Sequence, residues 1–528
     1  MDKYTRAAFI YAAIVTIGGF VFGLDAAVIS GTVKFIAIEF ALDDIQIGNV
    51  VSAPALGVLI ALVVTGAICE RFGRKKTLIL IALLYVVSAI GSAFAPSYYS
   101  LVAARFLGGL AFTSLSLASM YIGEIAPASQ RGKLVSMNQI MIVIGLTAAY
   151  FSNYALIQIQ DVGPFLQSIG FVQQDIWRWM LGMEIIPAML WCSLLLFIPE
   201  SPRWLMSKGL EPEAKRTLAK LMPEDKIEAE IGSIKDSLEK DKPAESGFVK
   251  QMLQLTEKKF RLALMVGVIF AFVQPLTGVN PILFYAPMVF EQTGIGTNAA
   301  YEQSLIIGIV SFIFTALAIS LVDKIGRRPL VNGGLIASII CLMMCVFAFK
   351  QATYEITQQD LVKLSQNTEI NVSQLQPIID TTFSSDTDFK DAVKPLIGED
   401  NFRLYESQLI QTSVNINAML VLVGIVGFIA AFHISIGPIM WVVFSEIVPT
   451  QIRGVAIPMF ALICSTISYF MQKFFPWQLK HMGAGDIFLS YAAAGIIGFY
   501  LLYRYLPETK NRSIEEVEAI LLAKSEVK

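Results

Sequence analysis

Residues 70–76 read ERFGRKK, and residues 323–329 read DKIGRRP. Each basic segment forms the short link between two apolar stretches, and the second follows the first by 253 positions (323 − 70). Another motif also occurs twice, as GEIAPASQRG at 123–132 and as SEIVPTQIRG at 445–454. Two homologous halves of apolar helical hairpins, each with its charges on one membrane face, are typical of membrane carriers.

The composition is that of a membrane protein. Hydrophobic residues make up 55% of the 528 positions and charged residues only 16%, and the mean hydropathy is +0.63. A soluble protein has about 25% charged residues. The formal net charge of −2 gives no indication of a nucleic-acid partner. The five cysteines all lie in apolar stretches, at spacings that fit neither a disulfide framework nor a zinc site, so no metal or other cofactor is expected.

Apolar runs of about twenty residues can cross the hydrocarbon core of a membrane as helices. The chain has twelve such runs: 8–30, 48–69, 77–95, 100–122, 134–157, 179–198, 262–290, 304–322, 329–349, 414–444, 455–475 and 484–506. We therefore predict an all-α membrane protein with twelve transmembrane helices in two six-helix pseudo-repeats. The predicted domains are a first bundle (1–199), a helical linker (200–261), a second bundle (262–506) and a tail (507–528).

Lysine and arginine set the predicted orientation. They are concentrated in the links after the even-numbered spans, whereas the opposite short links contain few of them. By the positive-inside rule, both termini and the linker are cytoplasmic. The polar insertion at about 350–413 is then external. Its scattered apolar residues, such as Leu361 and Phe389, are compatible with a small helical cap and equally with a disordered loop.

Four further motifs make the pattern specific: GGFVFGLDAAVISG (18–31), WRWMLG (177–182), PESPRWL (199–205) and PETKNRS (507–513). Together with the repeated segments they resemble the sugar porter family of the major facilitator superfamily, most of all its bacterial proton-coupled pentose and hexose symporters. The resemblance covers the chain except for the external insertion. It implies the major facilitator fold, a bacterial plasma membrane, and import of a monosaccharide or polyol with a proton by alternating access.

Two other functions stay open at this stage. One is a facilitative sugar uniporter on the same scaffold, and the other is a sugar sensor that transports nothing. An enzyme is not expected, because the sequence contains no catalytic Ser/His/Asp set and no nucleotide-binding loop. The expected partners are the solute, the proton and the lipid bilayer.

Asp25 and Arg105 are the candidate residues for proton coupling. Asp25 lies ~25 Å along span 1, and Arg105 lies near the external start of span 4, so both are in the outer half of the membrane. An isolated charge there costs at least ~2.5 kcal/mol, which makes an ionisable residue in a span a functional candidate. We predict that ionised Asp25 binds Arg105 and that protonation releases it.

Amide and aromatic side chains are suited to a solute that carries many hydroxyls. Matching the pocket of the family by position, the candidates are Gln139, Gln274, Asn280, Tyr285 and Trp441. His433 on span 10 is a further candidate, either as a group that binds the solute or titrates near neutral pH, or as a histidine hydrogen-bonded in a gap of the helix. The chain departs from the family at four places, with Leu146, Pro275, Ser311 and the pair Cys464-Ser465, so the identity of the sugar is not predicted.

Charged residues on the cytoplasmic links are predicted to form a gate. The repeated motifs supply Arg74, Glu124, Arg131, Arg327, Glu446 and Arg453, and the start of the linker supplies Glu200 and Arg203. Opposite charges that recur at matched spacing favour ion pairs that hold this side shut and part as the halves rock. The alternative is that these charges only fix the topology.

Overall fold

A computed structural model describes residues 3–127, 130–159, 175–240, 255, 257, 260–367, 370–449, 452–512 and 516–517. Within them, twelve helices are long and apolar enough to cross a membrane: Lys3–Gly31, Asp44–Phe72, Arg74–Ala93, Tyr98–Ile125, Gly132–Ile157, Ile176–Phe197, Arg261–Phe284, Thr297–Ile325, Arg327–Lys350, Ala418–Ile447, Arg453–His481 and Gly483–Tyr505. The predicted fold class is confirmed. Several helices extend beyond the predicted bounds, because polar end turns such as Thr297–Asn298 remain helical.

Spans 1, 4, 6, 7 and 10 are built from more than one helical segment. Span 1 consists of Lys3–Val28 and Ile29–Gly31, followed by the helix Val33–Glu39, and span 4 consists of Tyr98–Ala111 and Ser114–Ile125. Span 6 consists of Ile176–Gly182, Ile185–Leu194 and Leu195–Phe197, and span 7 of Arg261–Leu276, Val279–Phe284 and Ala286–Glu291. Span 10 consists of Ala418–Ile434 and Ile436–Ile447. The break in span 7 depends on Gly278, whose φ of 86° lies in the left-handed region. Such breaks are tolerated in a membrane where protein or a cavity satisfies the backbone.

Spans 1 and 5 cross in direct backbone contact. A Cβ atom at Gly23 would overlap the carbonyl of Ile142, and one at Gly145 would overlap the carbonyl of Phe20. Small residues at a crossing allow two membrane helices to approach closely and pack by van der Waals contact. This crossing holds the segment of span 1 that carries Asp25 inside the first half.

The chain between spans 6 and 7 defines one face of the bundle, which we call the terminal face. It contains the helices Pro202–Ser207, Glu211–Leu221 and Glu224–Lys240. These helices carry an apolar cluster of their own, with Leu205, Ala214 and Leu218 buried. The described part of the linker thus forms three helices joined by short turns.

Residues 351–417 form a folded domain at the opposite face, which we call the cap face. Its elements are the antiparallel strands Thr353–Tyr354 and Val414–Asn415, the helices Gln358–Asn367, Asp386–Ile397 and Glu399–Ser413, and the 3-10 helix Val372–Ile378. They enclose a separate apolar core that includes Leu375, Phe389 and Val393. Of the two structures left open for this insertion, the helical cap is the one found. Span 10 begins at Ala418 rather than at 414, because the preceding residues pair as a strand.

Lys390 is a buried cation that ties the cap to the second half. Its Nζ lies 3.1 Å from Glu406 Oε1 and 3.6 Å from Asp386 Oδ2, and it donates to Gln292 Oε1 (3.2 Å) just after span 7. Burial by itself lowers the pKa of Lys390, but the two carboxylates raise it above its ordinary value. The lysine therefore stays charged, and the cap is anchored electrostatically.

Replacing Lys390 by methionine is expected to loosen the cap. Losing one partner of a buried ion pair costs 3–5 kcal/mol, and because Glu406 is partly hydrated we expect roughly 2–3 kcal/mol here. The readout is the rate at which a protease cuts residues 351–417 in the folded protein. Lys363→Met, which breaks an exposed pair with Asp360, is the matched control and should cost less than about 1 kcal/mol. Equal cutting rates in the two variants would contradict this role of Lys390.

The two halves of the bundle meet in polar contacts at the cap face. Lys34 Nζ lies 3.3 Å from Glu291 Oε1, and Lys480 Nζ lies 3.1 Å from Asp44 Oδ2. Each of these ion pairs joins a residue of the first half to one of the second. We call them the outer ties. They close the cap face of the bundle in this conformation.

Candidate functional site

The side chains of Asp25 and Arg105 meet inside the first half. Arg105 Nη1 donates to Asp25 Oδ1, and Nη2 lies 3.5 Å from the main-chain carbonyl of Asp25. Only 1% of the Asp25 side chain and 2% of the Arg105 side chain is exposed. Asp25 Oδ2 and Arg105 Nε have no hydrogen-bond partner among the described residues. The ion pair therefore retains one acceptor and one donor for further contacts.

A second carboxyl group, Glu184, belongs to the same cluster and was missed in the sequence. It interacts with both Asp25 and Arg105, is 2% exposed, and its Oε1 has no partner among the described residues. The signal that marks it is the same as for Asp25, a single acidic residue within an apolar span. The cluster thus holds two carboxyl groups and one guanidinium, and we call it the acid cluster.

Spans 7 and 11 bring polar side chains together in the second half. Cys464 Sγ donates to Gln274 Oε1 (3.3 Å), and Asn280 Nδ2 donates to Ser468 Oγ (2.8 Å). Gln274 and Asn280 are both half-buried. Two of the predicted solute ligands therefore lie on one polar seam, and Cys464, first noted as a departure from the family, is part of it.

Tyr285 is buried between two spans, whereas the sequence analysis proposed it as a ligand of the solute. Its ring is fully buried against Phe475, with 5.0 Å between the ring centroids, and its hydroxyl donates to the carbonyl of Gln472 (2.9 Å). In this conformation Tyr285 joins span 7 to span 11 and has no surface for a solute. Its place after a break in span 7 was visible in the sequence, but the direction of its side chain was not.

The other aromatic and amide candidates remain accessible. Trp441 is 47% exposed on span 10 and contacts Phe444 edge to face. Gln139 is half-buried on span 5. Their role in solute binding stays a prediction.

His433 is buried at the end of the first segment of span 10. Its Nδ1 lies 3.1 Å from Thr315 Oγ1 on span 8, while its Nε2 has no partner among the described residues. The histidine thus has a protein partner on a different span, and one ring nitrogen is left for a further ligand. Its role in binding the solute stays a prediction.

The predicted gate residues form ion pairs within each half. In the first half, Nε and Nη2 of Arg74 bind Glu124, with Nη2 2.7 Å from Oε1. In the second half, Arg327 Nη2 lies 2.8 Å from Glu446 Oε1. These pairs brace spans 3 and 4, and spans 9 and 10, whereas the sequence predicted pairs that hold the terminal face shut. Their part in opening and closing stays a prediction.

A glutamate caps the first turn of the helix that follows each basic link. Glu200 accepts the backbone N–H of Arg74 (2.8 Å) and of Lys75 (3.1 Å). Glu508 accepts the backbone N–H of Arg327 (3.1 Å) and of Arg328 (3.1 Å). Carboxylates are favourable at a helix N-terminus because they satisfy N–H groups that have no partner within the helix. The sequence analysis did not propose Glu508, although the repetition of Pro-Glu at residues 199–200 and 507–508 indicates that Glu508 corresponds to Glu200.

Three further gate candidates are Arg453, Arg203 and Arg131. Arg453 Nη2 donates to the carbonyls of Ser445 (2.9 Å) and Val448 (3.0 Å), which flank Glu446 in the chain at the end of span 10. Arg203 lies in the helix Pro202–Ser207. The side chain of Arg131 lies outside the described part of the structure.

Comparisons with known proteins identify the family. The family described as "Sugar (and other) transporter" matches residues 11–363 and 403–521, which omits part of the cap. The arabinose-proton symporter of Bacillus subtilis is 30% identical over 505 residues, covering 96% of this chain and 93% of that protein. The D-xylose-proton symporter of Escherichia coli K12 is also 30% identical, over 98% of this chain and 97% of that protein.

A solved structure matches the whole bundle. The xylose transporter XylE from Escherichia coli, in a partially occluded inward-open conformation, has a TM-score of 0.72 and 27% sequence identity, and the match covers 96% of this chain and 100% of that chain. The chain belongs to the sugar (and other) transporter family.

Proposed function

We propose that this protein imports a monosaccharide or polyol together with a proton by alternating access, with its terminal face in the cytoplasm. The observation that carries the proposal is the acid cluster, because it places two carboxyl groups and one guanidinium out of contact with water. The concentration of lysine and arginine at the terminal face supports the orientation. Two similar proteins are named proton symporters, of arabinose and of D-xylose, which supports a sugar as the solute.

The charge balance of the acid cluster indicates how a proton takes part. An ionised carboxyl is stable in a low-dielectric interior only when it is paired. Arg105 neutralises one of the two carboxylates, so the other is expected to carry a proton while the cluster is buried. Loss of that proton leaves an unpaired negative charge, which favours a conformation that hydrates it. Proton binding and conformation are therefore linked, as a symporter requires.

The polar seam between spans 7 and 11 is the proposed solute site. A sugar hydroxyl is both a donor and an acceptor, so it can replace Cys464 as the partner of Gln274 and Ser468 as the partner of Asn280. A thiol is a weak donor, which makes its displacement from Gln274 the less costly of the two.

Transport by the purified protein in proteoliposomes tests the function. An inward proton gradient should drive accumulation of at least one solute from a panel of pentoses, hexoses and polyols, and a protonophore should abolish it. A uniporter would instead equilibrate the solute at the same rate with or without the gradient. A sensor would show a rise in melting temperature with a solute but no uptake.

Replacing Gln274 by leucine is expected to raise the half-saturating solute concentration about three- to tenfold. This range corresponds to the loss of one hydrogen bond worth roughly 0.5–1.5 kcal/mol. The measurement is initial uptake against solute concentration. Gln351→Leu is the matched control, since Gln351 is an exposed amide at the cap-face end of span 9. An unchanged half-saturating concentration in Gln274→Leu would place the solute elsewhere.

A further inference from the structure

The acid cluster has no direct contact with solvent in a conformation that is closed at the cap face. Asp25, Arg105 and Glu184 are each at most 2% exposed. If the terminal face is cytoplasmic, as proposed above, this side of the cycle is where the proton has to leave. A proton cannot cross an apolar interior unaided, because an isolated charge there is very costly. In this conformation the proton therefore needs polar groups or water inside the first half to reach solvent.

Tyr85 on span 3 is a neighbour of the acid cluster that can accept and pass on a proton. It is fully buried, and its surroundings include Asp25, Glu184, Arg105 and the hydroxyl of Ser114. The ring is held between Phe112 and Trp191, with centroids 6.3 Å and 6.1 Å away. Packing on both sides fixes the position of the hydroxyl.

Three polar atoms around this point lack hydrogen-bond partners among the described residues: Tyr85 Oη, Ser114 Oγ and Glu184 Oε1. Buried polar groups are normally satisfied by protein or by ordered water. The three oxygen atoms, two of which are near enough to interact with each other, therefore form a polar group inside the first half. Hydroxyl groups and water both donate and accept, which is the property that proton relay needs.

Further hydroxyls continue from Tyr85 toward the terminal face. Ser114 begins the second segment of span 4, directly after Thr113 at the break in that span. Thr113 accepts a hydrogen bond from Thr65 Oγ1 on span 2 (3.1 Å), and Thr65 is half-buried. By helix rise, Tyr85 and Thr113 lie ~17–18 Å from the terminal ends of spans 3 and 4, and Thr65 lies ~10 Å from the terminal end of span 2. Thr65 is thus the member of this group nearest to the terminal face.

We propose that the hydroxyls of Tyr85, Ser114, Thr113 and Thr65, with bridging water, form a proton path from the acid cluster to the terminal face, separate from the solute site. The carboxyl O–H bond of the cluster breaks as an O–H bond forms at Tyr85 or at a water beside it. Each following hydroxyl gains one proton and gives up another, and the last proton goes to cytoplasmic water. Rotation of the hydroxyls resets the path, so one proton moves and no group is consumed.

The test separates proton release from solute movement. Tyr85→Phe removes one hydroxyl and keeps the packed ring. We expect proton-driven net uptake to slow at least tenfold, whereas exchange of labelled for unlabelled solute, which needs no proton release, stays at the rate of the unmodified protein. Thr65→Val should slow net uptake in the same selective way, and normal exchange shows that either variant is folded. Tyr491→Phe is the matched control, because Tyr491 is a buried tyrosine of the second half whose hydroxyl also lacks a partner among the described residues.

The possible results lead to different conclusions. Unchanged net uptake in both Tyr85→Phe and Thr65→Val would show that the proton leaves by the solute cavity, and the path would be wrong while symport stands. Equal slowing of exchange and net uptake would assign Tyr85 a structural role and would also overturn the path. If the unmodified protein itself shows no proton-driven uptake, the proposed function fails, independently of either variant.

Discussion

Replacing Asp25 by asparagine is expected to abolish accumulation of solute against its gradient while exchange of labelled solute continues. Asparagine has nearly the same size as aspartate and cannot bind or release a proton. Arg105 then has only Glu184 as an ionisable partner, and this pair is neutral without an additional proton. The cluster no longer binds and releases a proton during the cycle, so a proton gradient cannot drive the change of conformation. Uptake should level off at equal concentrations on the two sides of a proteoliposome membrane.

Two comparisons make this result specific. Asp486→Asn neutralises a half-exposed acid at the cap face that pairs with Lys350, and it should leave accumulation unchanged. Glu184→Gln removes the other carboxyl of the cluster and should also uncouple transport, because the remaining pair of Asp25 and Arg105 is neutral without a proton. Persistent accumulation by Asp25→Asn would show that the driving proton binds elsewhere.

The twelve spans and the buried ion pair of Asp25 and Arg105 were predictable because a membrane restricts the sequence strongly. A spanning helix needs a long apolar run, and a charge within one is costly enough to stand out. Asp25 and Arg105 were found in this way, and they are in contact. Glu184 carries the same signal and was overlooked, so its absence from the predicted site is a fault of interpretation and not a limit of the sequence.

The cap and the partners of the gate residues were not predictable in the same way. The cap has a polar composition with scattered apolar residues, and it is ordered by contacts that are distant in sequence, such as Lys390 with Gln292. Sequence motifs indicate that Arg74 and Arg327 lie at the terminal face, but several carboxylates are within reach of each. Which pairs form depends on helix packing and on the conformation of the bundle.

Removing both outer ties is expected to shift the bundle toward a conformation open at the cap face. Lys34→Ala breaks the contact with Glu291, and Asp44→Ala breaks the contact with Lys480. Partly exposed ion pairs contribute about 0.2–1 kcal/mol each, so losing two changes the ratio of open to closed molecules about 2- to 30-fold. Each substitution alone should have a smaller effect, and the effects should add because the two pairs share no residue.

Spin labels on both sides of the outer ties measure this shift. Tyr99 in the first half and Asp391 in the cap are 80% and 79% exposed, so cysteines placed there can be labelled with little disturbance. The population with the longer distance should grow in the variant that carries both Lys34→Ala and Asp44→Ala.

Two further variants show whether charge is the cause. In a variant that combines Lys34→Glu with Glu291→Lys, the population with the longer distance should stay close to that of the unmodified protein, since the swap restores opposite charges across the halves. Lys350→Ala breaks an ion pair at the same face within the second half and should change nothing. If the double variant and Lys350→Ala gave the same distances, the cap face would be closed by the apolar contacts of the spans rather than by charge.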